Sequence, residues 1–303
     1  MKSPPAAGVV VIVAILVISL YSAYTIDGVI SSNAPHNVVF TLGTADHDIT
    51  YCNSQTLDLY IPRVAAVHPL PIAIYVHGGG LSAGDKSDIN PTFLNVLASA
   101  GFAVASVNYR LAPQYKFPAQ IEDVKCAIRF LRSNAQAYGI NGSEVFAFGD
   151  SSGGELVALA ALVGPHSSFD VGPYRNEASG LTAAADLFGD ANLTEESVSA
   201  SDFLRVFGSN ASQLVLASPT YYASRNASPM IIIQGVNDTN VPESQSIELY
   251  NDLTTAGAQT RLILVQNAGH EFVQVGSQPI NPSLVQIAQV MVGFFESYTQ
   301  GGG

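Results

Sequence analysis

The chain contains no tryptophan, only two cysteines, and half as many basic as acidic side chains: 12 lysines and arginines against 24 aspartates and glutamates, a formal charge of −12 over 303 residues. Each shortage argues against a class of function. A surface this acidic repels a phosphate backbone, so nucleic acid is not expected as a partner. Without tryptophan the commonest large stacking platform is gone, although 13 tyrosines and 14 phenylalanines remain. Cys52 and Cys126 are too few and too far apart for a zinc site; one disulfide between them and two buried thiols are both open readings. Between about residues 50 and 299 there is also no long linker, low-complexity tract or repeat. Residues 31–300 therefore read as one domain, long enough to bury a large core, and the terminal GGG at 301–303 reads as an appended scar.

Charge is missing at the N-terminus too. After Lys2 no charged residue appears until Asp27, and residues 6–20 are apolar except for Gly8 and Ser19. Residues 1–30 read either as a cleaved secretory signal or as a retained membrane anchor. A cut after Ala23 would place Tyr21 at the −3 position, a poor fit to a small-residue site. The uncharged stretch 3–26 is long enough to cross a bilayer as a helix of about 20 residues. Both readings keep Lys2 inside and export the globular part, so an extracytoplasmic protein, secreted or anchored to the outer face of the membrane, is expected.

In the body, apolar runs without polar alternation alternate with helical periodicities. Strands are expected at 56–61, 72–76, 102–107, 145–148, 230–234 and 261–265, with a weaker alanine-rich one at 181–188. Helices are expected at 91–100, 118–137, 155–162, 242–256 and 284–298, several closed by a glycine. Such a series predicts a mostly parallel sheet covered by helices on both faces. Ligands then bind at the carboxyl ends of the strands, and the polar motifs fall there.

The strand at 145–148 runs into Gly149-Asp150-Ser151-Ser152-Gly153-Gly154 and then a helix. A Gly-x-Ser-x-Gly turn between strand and helix is a nucleophile elbow, which presents the serine hydroxyl on a strained bend; by itself it is equally well an ordinary glycine-serine turn. A nucleophilic Ser151 needs a base and an orienting carboxylate. Of six histidines, His36, His47 and His68 precede the expected sheet and His166 sits in a Gly/Pro-rich segment. His270 follows the strand at 261–265, in the turn Asn267-Ala268-Gly269-His270, while Asp238 follows the strand at 230–234. The order Ser151, Asp238, His270 is the one an elbow hydrolase requires. His77-Gly78-Gly79-Gly80 ends another strand, and three glycines present backbone N–H groups to an oxyanion unobstructed by side chains. It lacks the spacing of a phosphate loop or a dinucleotide fingerprint. The Ser152 amide is a further donor.

Together, HGGG at 77–80, NYRLAP at 108–113, FPA at 117–119 with Asp123 beyond it, GDSSGG at 149–154, GVNDTNVP at 235–242 and AGH at 268–270 resemble the α/β-hydrolase serine esterases of the hormone-sensitive-lipase-like and bacterial feruloyl or acetyl-xylan esterase groups. The resemblance covers about residues 55–298. It implies an α/β-hydrolase fold with a minimal lid, Ser151 as nucleophile with Asp238 and His270, oxyanion donation by Gly79, Gly80 and Ser152, and no metal or organic cofactor. It also implies a loop-bracing role for His77 and a structural Arg110–Asp123 pair, against which stands a plain surface ion pair. Two departures stand out: Ser152 where these esterases usually carry alanine, and Leu81 where an aromatic is frequent.

The expected function is hydrolysis of carboxylic esters through an acyl-enzyme, on small-molecule or polymer substrates such as feruloyl, acetyl-polysaccharide or polyester compounds. The alternatives are a lactonase using the same triad and, further off, a non-catalytic ligand-binding protein of the same fold. Two segments, 164–180 and 189–228, are expected to form the rim or a small lid and to set substrate choice.

Overall fold

The computed structural model describes residues 42–63, 69–194 and 200–299. The N-terminal segment 1–30, with the anchor candidate 3–26, and His36 and His68 lie outside the described residues, as does 301–303. Among the described residues no helix is long and apolar enough to cross a membrane.

Eight strands form one sheet: β1 (Leu42–Thr50), β2 (Thr56–Pro62), β3 (Leu70–Val76), β4 (Ala103–Val107), β5 (Ile140–Asp150), β6 (Ala183–Leu187), β7 (Met230–Gly235) and β8 (Thr260–Val265). Their order is β1-β2-β4-β3-β5-β6-β7-β8. The first two are antiparallel to their neighbours, and from β4 to β8 all pairs are parallel. This is the mostly parallel sheet of the α/β-hydrolase fold.

The apolar strands bury both faces. On β3, Ile72, Ile74 and Val76 face one cluster while Ala73 and Tyr75 face the other. Helices α1 (Pro91–Ser99) and α8 (Leu284–Glu296) cover the second face with Phe93, Leu97, Met291 and Phe295. Helices α2 (Ala119–Ser133), α4 (Ser152–Val163) and α7 (Glu243–Ala256) cover the first with Ile121, Val124, Leu156, Leu159, Leu249 and Leu253. The helix expected over 118–137 is broken at Asn134, with a one-turn α3 (Ala135–Tyr138) after it.

Cys52 and Cys126 are joined in a disulfide, with Cα atoms 6.2 Å apart, which ties the β1–β2 turn to α2. Of the two expected lid segments, 164–180 is drawn onto α2, where Arg129 binds Asp170 and the Val171 carbonyl and Arg132 binds the Ala178 and Gly180 carbonyls. The 189–228 segment carries α5 (Ala200–Val206) and α6 (Ser212–Ala217) and is held to α7 by the Gln245 side chain, which accepts the Ala191 and Asn192 amides.

Candidate active site

The elbow is built by sterics. Ser151, between β5 and α4, has φ 53° and ψ −128°, a conformation that L-residues rarely adopt. Its neighbours must be glycine: a Cβ on Gly149 would lie 2.4 Å from the Gly153 carbonyl oxygen, and one on Gly153 would lie 2.1 Å from that of Val76. The Ser151 amide donates to the Leu187 carbonyl at 2.9 Å, fixing the turn to β6.

His270 and Asp238 come from the ends of β8 and β7. His270 Nε2 is 3.1 Å from Ser151 Oγ, and its Nδ1 is 2.8 Å from Asp238 Oδ2. With Asp238 accepting at Nδ1–H, Nε2 carries the lone pair that faces the serine hydroxyl. Burial alone would lower the imidazole pKa, but the hydrogen bond and charge of Asp238 outweigh it and hold the pKa above its ordinary value. For Asp238 burial pushes upward, and the contact with His270 and the Val241 and Asn240 amides bring the carboxyl below the usual carboxylate range. Phe188 meets the His270 ring edge-on at 4.9 Å.

The triple-glycine loop is braced from behind. His77 is buried, stacks on Tyr109 at 4.2 Å between ring centroids, and its Nδ1 lies 2.8 Å from the Gly78 carbonyl. Burial lowers its pKa, and its ring contacts are Tyr109 and the Gly78 carbonyl rather than a triad side chain. Arg110 Nε meets the fully buried Asp123 at 2.8 Å, and Asn53 donates to the other carboxylate oxygen. The pair is therefore internal.

The BD-FAE family profile matches residues 57–253, from β2 into α7. The chain belongs to the BD-FAE family. Among its relatives, esterase LipC of Mycobacterium tuberculosis is 27% identical over 246 residues, covering 78% of this chain and 61% of LipC. The ethyl acetate hydrolase of Pseudomonas putida is 25% identical over 262 residues, 82% of this chain and 81% of the hydrolase. A truncated carbohydrate esterase from gut microbiota superposes with a TM-score of 0.75 at 29% identity, over 85% of this chain and 97% of that one. The chain spans only 61% of LipC and 52% of the related esterase LipQ.

In this BD-FAE chain the triad opens into a cavity of about 510 Å³. Its wall holds the carboxylates of Asp88, Asp150 and Glu271, the amides of Asn90 and Asn240, and a set of aromatic rings that includes Phe93, Phe188 and Phe272. Among the described residues no lysine or arginine lines it. Gly78 and Gly79 belong to the wall, whereas Gly80 is exposed beside it. Neither 164–180 nor the described part of 189–228 contributes a lining residue. The described polar anchors of these segments lie on α2 and α7, and the described wall comes from the β3–α1 loop, Phe188 and the His270 loop among others. Among the described residues no three His, Cys, Asp or Glu side chains gather as a metal site would need.

Two contributors escaped the sequence reading. Gln234, fully buried at the end of β7, donates to Asp238 Oδ2 at 3.2 Å and to the Val241 carbonyl at 3.0 Å, and accepts from Ser246. A glutamine closing the apolar run MIII was the available signal. Tyr75 donates to Asp150 at 2.6 Å, and burial still pushes the Asp150 carboxyl upward. No sequence pattern marks that pair.

Proposed function

We propose that this protein is an extracytoplasmic serine carboxylesterase acting through an acyl-enzyme. The observation that carries the proposal is the unbroken contact from Ser151 Oγ to His270 Nε2 and from His270 Nδ1 to Asp238, on a turn that holds the serine strained and accessible. His270 takes the Ser151 proton as Oγ attacks the ester carbonyl, Asp238 stabilises the imidazolium, and the same proton then passes to the departing alcohol. Water, deprotonated by His270, releases the acyl group. The amides of Gly79, Gly80 and Ser152 are assigned to the oxyanion.

The lining favours a polar alcohol portion. Carboxylates and amides accept from and donate to hydroxyl groups, while Phe188 and Phe272, packed edge-to-face at 4.9 Å, give an apolar wall for a small or aromatic acyl group. Acetylated or feruloylated carbohydrates fit this chemistry, and the likeness to a carbohydrate esterase supports the same reading. Export is supported by the Cys52–Cys126 disulfide, since such bonds persist in oxidising compartments.

Ser151→Ala tests the reading. Hydrolysis of p-nitrophenyl acetate should fall about 10⁴-fold or more, with the fold retained; unchanged turnover would remove the serine from the mechanism. Comparing acetylated xylan, methyl ferulate, p-nitrophenyl acetate, long-chain p-nitrophenyl esters and a lactone then ranks the substrates: a preference for the long-chain esters would overturn the small-acyl assignment, and p-nitrophenyl acetate preferred over acetylated xylan would overturn the polar-alcohol one.

A further inference from the structure

Ser152 is more than a provider of a backbone amide. It opens α4, is 2% exposed, and its Oγ accepts the Leu81 N–H at 3.2 Å across 71 residues of sequence. Leu81 directly follows the three glycines. It is buried at 3% exposure with φ 58°, a left-handed conformation for a branched side chain, and its carbonyl accepts the Ala112 amide at 2.9 Å. On the entering side of the same loop, the Tyr109 hydroxyl donates to the His77 carbonyl at 2.9 Å. Two buried hydroxyls thus grip both ends of the glycine loop, and one belongs to the residue next to the nucleophile.

We propose that the Ser152 hydroxyl is a positioning residue that fixes the spacing between the elbow and the Gly79–Gly80 amides, and so sets the geometry of the oxyanion hole. The proposal rests on the esterase reading. It separates two functions of one residue: the amide, which any side chain at 152 would retain, and the hydroxyl, which alanine removes. Without the hydroxyl the buried Leu81 N–H has lost its acceptor, and the loop relieves this by shifting. Donors aimed at a developing oxyanion act on the transition state, so the shift is felt in turnover rather than in substrate capture.

The test compares Ser152→Ala and Ser152→Thr with wild type on p-nitrophenyl acetate. Ser152→Ala should lower kcat about tenfold, a fraction of the 10²–10³ lost with a whole oxyanion donor, while KM stays within about twofold. The rate of inactivation by a tetrahedral phosphonate should fall by the same factor. Ser152→Thr, which keeps the oxygen, should recover most of the loss. Amide hydrogen exchange over residues 78–82 should quicken in the alanine variant. A Ser152→Ala enzyme with unchanged kcat, or one altered only in thermal stability or KM, overturns the proposal. If wild type itself turns over no ester, the esterase reading fails instead, and the exchange rates still decide whether the hydroxyl holds the loop: unchanged rates would overturn that too.

Discussion

Ser151 and His270 meet at 3.1 Å, yet the two halves of the site hold them by different means. The Ser151 half, β3, β5, β6 and the start of α4, is shaped by close approach that leaves no room for a Cβ. Gly153 lies where a Cβ would run into both the Val76 and His77 carbonyls, and Gly154 and Gly189 where one would meet the Asp186 carboxylate. The His270 half, the ends of β7 and β8, also carries a chain of side-chain hydrogen bonds from Ser246 through Gln234 and Asp238 to His270. A steric mould has no intermediate settings, whereas a hydrogen-bonded chain can be loosened one link at a time. Mutations in the first half should be all-or-none, and those in the second graded.

The largest effect is expected from Gly153→Ala. The new methyl would sit 2.1 Å from one carbonyl oxygen and 2.6 Å from another, neither of which can turn aside without moving β3. Either no soluble folded protein is recovered, or stability falls by about 4 kcal/mol or more. A soluble variant with near-native melting temperature and activity would show that the elbow is softer than a mould.

Gln234→Leu should be milder. Leucine fits a fully buried strand position, so the sheet persists, but Asp238 loses the donor on its Oδ2 and the Ser246 hydroxyl loses its acceptor. The carboxylate keeps the Asn240 and Val241 amides on Oδ1 at 2.8 and 3.0 Å. With Oδ2 left to His270 alone and no longer fixed by Gln234, kcat should drop by about 10- to 10²-fold, the range that misplacement of a catalytic group by 1 Å can produce. Steady-state kinetics checks this, and an unchanged kcat would mean that the two amides alone orient the acid.

The same contrast explains what was legible in the sequence. Steric demands are written as glycines, so the elbow and the oxyanion loop stood out, and chain order picked His270 and Asp238 because each follows an apolar strand. Hydrogen-bonded supports carry no such mark: Gln234 reads as the frayed end of a strand until Asp238 folds back over it. β1 was missed for a related reason. Its residues LGTADHDIT contain no apolar run, and they form a strand because β2 offers an edge, pairing Ala45 with Tyr60 and Asp46 with Leu59. His47, expected ahead of the sheet, therefore lies within it, beside Asp58 at 2.9 Å. The Cys52–Cys126 bond joins positions 74 residues apart, a proximity that only the packing of α2 against the β1–β2 turn creates. The 164–180 segment reads from sequence only as rich in turn residues; that Arg129 and Arg132 on α2 bind its carbonyls is visible only in the fold.

The smallest effect separates the two halves by their response to pH. Asp186 on β6 is wholly buried behind the elbow. One carboxylate oxygen accepts the Gly189 amide at 2.8 Å, and the other has no partner among the described residues. Burial, only partly offset by that amide, pushes its pKa from 3.8 up to about 7. Over that interval the native state holds a proton that the unfolded chain has released, so this group's contribution to stability declines as pH rises from about 4 to about 7 and levels off above. Asp238 has the opposite sign. Its lowered pKa gives stability that is present above 3.8 and lost as pH falls through the native value. Asp186→Asn keeps an acceptor for Gly189 and removes the buried charge. It should therefore raise the melting temperature at pH 8 by on the order of 2–4 °C, the shift that about 1 kcal/mol produces in a domain of this size. Near pH 4, where the wild-type carboxyl is protonated as well, the gain should vanish. Melting curves from pH 4 to 8 that stay parallel for the two proteins would show that the elbow carries no buried charge at neutral pH, and the mould behind Ser151 would then be neutral throughout.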